Sequence, residues 1–90
     1  MIIDSVQKMR TTKGNKAANQ VIIHSGLTEY FRSYDTYIAL KENGNIFLDA
    51  AYWDYSATTG KYRNQFLGEG IADTRKKIKS GEYKLVDLNQ

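Results

Sequence analysis

Ninety residues, 41% hydrophobic and 26% charged, describe one globular domain across 1–90 and exclude a second lobe, wholesale disorder and collagen-like repetition. The absence of cysteine removes disulfides, thiolate metal sites and a cysteine nucleophile. The net charge is +3: residues 1–20 and 58–90 each carry a balance of +3, and residues 21–57 one of −3.

Along the chain, Ser5 to Thr12 alternates Val6, Lys8 and Arg10 against Gln7, Met9 and Thr11, the period of a strand with one basic side. A turn follows at Thr12-Lys13-Gly14-Asn15-Lys16. Val21-Ile22-Ile23-His24 is β-branched and Thr28 to Tyr34 is aromatic and Thr-rich, so the two are expected to pair as a hairpin. The clearest turn is Asn43-Gly44, a dipeptide that accepts positive φ at both central positions of a type I′ turn. It sets Leu40 opposite Phe47 and Ala39 opposite Leu48, giving a hairpin apolar on both faces.

After Tyr52-Trp53-Asp54-Tyr55 the period becomes helical. Ser56 or Thr58 can cap a helix that brings Thr59, Tyr62, Phe66 and Leu67 to one face and stops at Gly68 and Gly70. A second helix, about Ile71 to Ser80, turns Ile71, Thr74 and Ile78 inward and Arg75, Lys76, Lys77 and Lys79 outward, with Gly81 as a left-handed C-terminal cap. Tyr83 to Leu88 is β-capable and suits an edge strand. The expected architecture is α+β: an antiparallel sheet of four to five strands followed by two short helices packed on one face.

The residues argue against catalysis. His24 is the only histidine, which excludes paired-histidine zinc sites. Gly68-Glu69-Gly70 lacks the third glycine and the lysine of a phosphate loop. Glu82-Tyr83-Lys84 has the acid-x-lysine spacing of some metal-dependent nucleases, and needs Asp49 or Asp54 beside it to hold a metal. No cofactor or metal is expected. Tyr52, Trp53, Tyr55 and Tyr62, beside Lys61 and Arg63, admit two readings: rings that stack on exposed bases, or large side chains that build an unstapled core. For Trp53, Tyr62 and Phe66 the core is the preferred reading. The cations Lys8, Arg10, Lys13 and Lys16 sit beside a glycine turn and are reachable by a partner; Arg75, Lys76 and Lys79 form either a phosphate-binding or a merely solvated helix face.

Ala18-Asn19-Gln20-Val21-Ile22-Ile23, Ser33-Tyr34, Ile38-Ala39, Tyr52 through Leu67 and Lys77-Ile78-Lys79-Ser80-Gly81-Glu82-Tyr83 together resemble an uncharacterised family of small proteins of phages and prophages of Gram-positive bacteria. The resemblance covers nearly the whole chain and is most specific at Tyr52-Trp53-Asp54-Tyr55-Ser56-Ala57-Thr58-Thr59. It implies a phage or mobile-element origin and a binding role in host takeover or defence evasion, and it transfers no catalytic residue.

The leading expectation is therefore a non-enzymatic accessory protein that binds nucleic acid through Lys8, Arg10, Lys13, Lys16, Tyr55, Lys61, Arg63, Arg75, Lys76 and Lys79. The alternatives are an inhibitor of a host defence or replication protein, acting through the acidic middle or exposed tyrosines, and a nucleotide-sequestering protein. No apolar run approaches the ~20 residues of a membrane span, and Met1-Ile2-Ile3-Asp4 lacks the regions of a secretory leader. A host-cytoplasmic protein with no membrane partner is expected, and an open sheet edge is compatible with a homodimer.

Overall fold

The computed structural model describes residues 2–89, in which a six-stranded mixed sheet carries two helices on one face. Strands β1 (Ser5–Arg10), β2 (Lys16–Ser25), β3 (Thr28–Ser33), β4 (Thr36–Glu42) and β5 (Asn45–Asp49) run as an antiparallel meander. The chain then passes through α1 (Ala57–Leu67) and α2 (Ile71–Ser80) and returns as β6 (Tyr83–Val86), parallel to β5. The expected α+β class and the helix pair are present. The sheet has six strands where four to five were expected, and its last pair is parallel. The reason is the connection: a return through two helices brings the chain back to the end at which β5 started, so the new strand runs alongside β5 in the same direction.

Turn chemistry sets the register. Asn43 and Gly44 have φ of +52° and +79°, and Ala39 pairs with Leu48 and Leu40 with Phe47. Because strand side chains alternate, Phe31, Ala39 and Leu48 point toward the helices, where they are buried with Tyr62, Phe66 and Tyr83. The Phe31 and Phe66 rings lie 5.9 Å apart. Helix α1 starts where Ser56 Oγ accepts the Thr59 amide and ends at Gly68, φ +72°; α2 ends at Gly81, φ +85°, the left-handed cap expected there.

The opposite face carries no helix, and two rows of cross-strand partners cross it. One row is Lys8, Val21, Arg32 and Tyr37; the other is Val6, Ile23, Tyr30, Leu40, Phe47 and Lys84. A bulge at Ile38 keeps Tyr37 beside Arg32. Burial of the Asn43-Gly44 hairpin is accordingly one-sided: Ala39 and Leu48 are fully buried, while Leu40 and Phe47 on the open face are half-buried.

Candidate nucleic-acid interface

The β1–β2 hairpin gathers four cations at one edge of the sheet. Lys8 pairs with Val21 and Arg10 with Lys16, so Lys8, Arg10 and Lys16 lie on the face away from the helices, while Met9 between them is buried in the core. Lys13 is exposed at the hairpin turn. Arg10 and Lys16 are like charges directly across two strands, an arrangement that costs stability unless an anion lies between them. Among the described residues none of the four is in an ion pair. Arg10 donates one hydrogen bond to the Gly14 carbonyl, 3.2 Å. A shallow depression of about 460 Å³ runs along this edge, lined by Lys8, Arg10, Lys16 and His24 among others.

Helix α1 borders the same hairpin. Gln65 Nε2 donates to the Arg10 carbonyl, 3.0 Å, and Thr58 shares a depression with Lys16. Lys61 stands between Thr58 and Gln65 on that side of the helix, exposed, with its ammonium 5.6 Å from the Tyr62 ring centre.

The remaining sequence candidates are placed elsewhere. Arg63, grouped with the surface cations by its neighbour Lys61, is 1% exposed. Its guanidinium donates to the Trp53 carbonyl (2.8 Å) and Asn64 Oδ1 (3.0 Å), meets Asp54 at 3.4 Å, and lies 5.3 Å from the Trp53 ring. It is an internal clamp on the Trp53–Asp54 loop and offers no surface to a partner. Helical spacing alone did not reveal this, since the arginine lies one position beyond Tyr62 and turns inward with it. Gly60 makes the room: a Cβ there would come within 3.4 Å of the guanidinium.

Tyr55 is 66% exposed and packs edge-to-face with Tyr52 at 5.6 Å. Trp53 is half-buried against the core. Arg75, Lys76 and Lys79 are exposed on α2, which packs on β6 at the far side of the sheet from the hairpin. Arg75 is engaged with Asp54 at 3.4 Å. Lys77, expected outward, turns in to Glu69 at 2.6 Å.

Glu69 is the centre of a network that sequence spacing did not reveal. Its carboxylate accepts from Thr74 Oγ1 (2.6 Å), Lys77 Nζ (2.6 Å) and Tyr83 OH (2.8 Å). Burial alone would raise its pKa; the hydrogen bonds from Lys77, Thr74 and Tyr83 outweigh that and hold it below the usual carboxylate value. The Lys77 ammonium is correspondingly raised by its bond to Glu69, and burial followed by the bond to Glu69 raises the Tyr83 phenol. Glu69 engages Lys77 and Tyr83 together, tying the α1–α2 junction to β6.

No metal-binding arrangement forms around the acid-x-lysine segment. Asp49 is 1% exposed, its oxygens taken by the amides of Ala51, Tyr52 and Leu88. Among the described residues no three His, Cys, Asp or Glu side chains converge, and no helix is long and apolar enough to cross a membrane.

The pairing of strands brings to the open face further cations that the sequence alone does not place there. Arg32 and Lys84 lie on the same open face as Lys8. The signal was the alternation Tyr30, Arg32 and Lys84, Val86 within short strands, which assigns a face only once the partners are known. With this geometry in place, a family model of unknown function, DUF8033, matches residues 5–84, and the chain belongs to that family. No curated protein and no solved structure matches the chain.

Proposed function

We propose that this DUF8033 protein is a non-enzymatic binding module for nucleic acid, with the β1–β2 hairpin as its main phosphate contact. The observation that carries the reading is the set Lys8, Arg10, Lys13 and Lys16: four cations on one hairpin, without ion-pair partners, two of them directly opposite each other. Like charges so placed are stabilised by an external polyanion, and a run of phosphates supplies one charge for each cation. Lys61 extends the positive edge onto α1. The resemblance of Tyr52 through Leu67 to small phage and prophage proteins supports a phage accessory role in the host cytoplasm.

Fluorescence anisotropy with labelled oligonucleotides tests it. Affinity is expected to fall with salt between about 25 and 300 mM, with a log–log slope of roughly −3 for four phosphate contacts on a single strand. Absence of binding to both single strand and duplex at the lowest salt overturns the reading.

A further inference from the structure

We propose that the uncovered face of the sheet is a stacking platform for single-stranded nucleic acid, which rests on the nucleic-acid reading above and names its site and substrate class. Two observations distinguish this face from an ordinary solvent-facing sheet. The first is its rings. Tyr30, Tyr37 and Phe47 lie on it, half-buried, and Tyr30 and Tyr37 meet edge-to-face at 5.5 Å. Tyr34, 60% exposed, stands at its rim in a left-handed backbone conformation, φ +56°, that a tyrosine rarely adopts. Half-buried rings held by neighbouring side chains lose little freedom when a flat base settles on them.

The second observation is the charge around those rings. At strand positions the face carries Lys8, Arg10, Lys16, Arg32 and Lys84. Opposing them are Glu42 at one rim, accepting from Thr28, Asp35 in the turn beside Tyr34, and, two residues past Phe47 on the same strand, the buried Asp49, whose oxygens accept backbone amides. Arg32 lies between the hairpin cations and Tyr37 in its row, and its Nε is buried without a hydrogen-bond partner. It lines, with Val21, Tyr34 and Asp35, a depression of about 180 Å³. Arg32 thus lines a depression that a base edge can enter, in company with the Asp35 carboxylate.

The complementarity is to a single strand rather than a duplex. Bases in a duplex are stacked on each other and cannot lie on a protein ring, whereas a single strand presents both its bases and its phosphates at once. Six strands about 4.8 Å apart make the longer row roughly 24 Å, the reach of about four nucleotides and the lower end of single-strand site sizes. The hairpin cations at the β1 edge and Lys84 on β6 then stand at its two ends.

Anisotropy with single-stranded DNA, single-stranded RNA and a duplex of equal length tests the platform, using Tyr37→Leu and Phe47→Leu, which keep apolar bulk and remove the ring. Single strands should bind at least tenfold more tightly than duplex. Each ring variant should weaken single-strand binding about tenfold with an unchanged salt slope, because stacking carries no counterions. Ultraviolet crosslinking of the wild-type protein to oligo(dT) or oligo(U), read by mass spectrometry, should mark Tyr30, Tyr34, Tyr37 or Phe47, and this holds even where a variant misfolds. Salt-sensitive binding with duplex preferred, with ring variants unaffected, or with crosslinks confined to α1 overturns the platform and leaves the hairpin reading intact, whereas crosslinks confined to α2 overturn both. No binding of any nucleic acid overturns both. A dimer in solution that Tyr37→Leu dissociates, without nucleic-acid binding, assigns the face to a second copy of the chain and overturns the platform as well.

Discussion

The side-chain amide of Asn89 takes the place of a strand neighbour for Tyr37. Its Oδ1 accepts the Tyr37 amide at 2.7 Å and its Nδ2 donates to the Tyr37 carbonyl at 2.8 Å. Tyr37 lies beyond the last β4–β5 pair, Ala39 with Leu48, so its backbone groups would otherwise face water or nothing. Asn89→Ala removes both bonds and should lower stability by about 1–2 kcal/mol, on the usual net value of a protein hydrogen bond. Asn89→Asp should be no better, since it restores the acceptor and sets a carboxylate against the Tyr37 carbonyl. Urea unfolding followed by circular dichroism checks both; wild-type midpoints would show that the amide pairing contributes nothing.

The Glu69 network makes stability depend on pH in a stated direction. The Glu69 carboxylate has a lowered folded pKa against an ordinary value of 4.5, so its contribution is whole above that value and is lost as pH falls through the folded one. The Tyr83 phenol is raised above 10.0; its contribution is whole below that value and is lost as pH rises through the folded one. Glu69→Gln should cost about 1–2 kcal/mol near neutral pH, through weaker bonds to Lys77, Thr74 and Tyr83. The gap between variant and wild type should close as pH falls through the folded pKa of Glu69, which lies below the ordinary 4.5. Unfolding midpoints measured from acid to neutral pH test this, and a gap independent of pH would count against a charged Glu69 as the source.

Local chemistry was legible in the sequence wherever a single residue type dictates geometry. Asn43-Gly44 set the central register and Gly81 the end of α2, and of the two cap candidates Ser56 and Thr58 it is Ser56 that starts α1. What could not be read depends on partners distant in sequence. Lys16-Ala17-Ala18-Asn19-Gln20 has no β-branched residue, and its strand character comes from partners elsewhere in the chain: Lys16 pairs with Arg10, Gln20 with Ser33, and the Asn19 carbonyl accepts the Tyr34 amide. The parallel placement of β6 is decided by the two-helix return. Charge and helical position place Lys77 outward, but the carboxylate of Glu69 lies eight residues earlier and draws it in. The exposure of the hairpin cations can be read without tertiary knowledge; the ring-bearing face cannot, because Tyr30, Tyr37 and Phe47 come together only across three strands.

Arg63 holds its loop by geometry as much as by charge. A lysine at this position can reach one acceptor but cannot span the Trp53 carbonyl and Asn64 Oδ1 or lie flat near the indole. Arg63→Lys should therefore lower stability by about 2–3 kcal/mol, in the range for disturbing a buried, hydrogen-bonded cation. Trp53 is the only tryptophan, so its emission reports on the loop directly, and a red shift on substitution is expected as the ring gains water. A variant with wild-type melting temperature and emission would remove the clamp assignment.

The two groups of lysines should separate in binding experiments. Lys76 and Lys79 are exposed and, among the described residues, outside any ion pair, as the hairpin cations are. Charge alone therefore does not distinguish them; position does. Lys8 and Lys16 lie on the open face with the rings, whereas α2 covers the other face at β6. Each lost phosphate contact flattens the salt slope by about 0.7 for a single strand, so the double substitution Lys8→Gln with Lys16→Gln should reduce the slope by about 1.4 and weaken binding at low salt. Lys76→Gln with Lys79→Gln removes the same net charge and should leave the slope unchanged, with only a small uniform loss of affinity from the weaker long-range field. Equal slopes for the two double variants would mean that the protein attracts polyanions by net charge alone, and the reverse order would move the interface to α2.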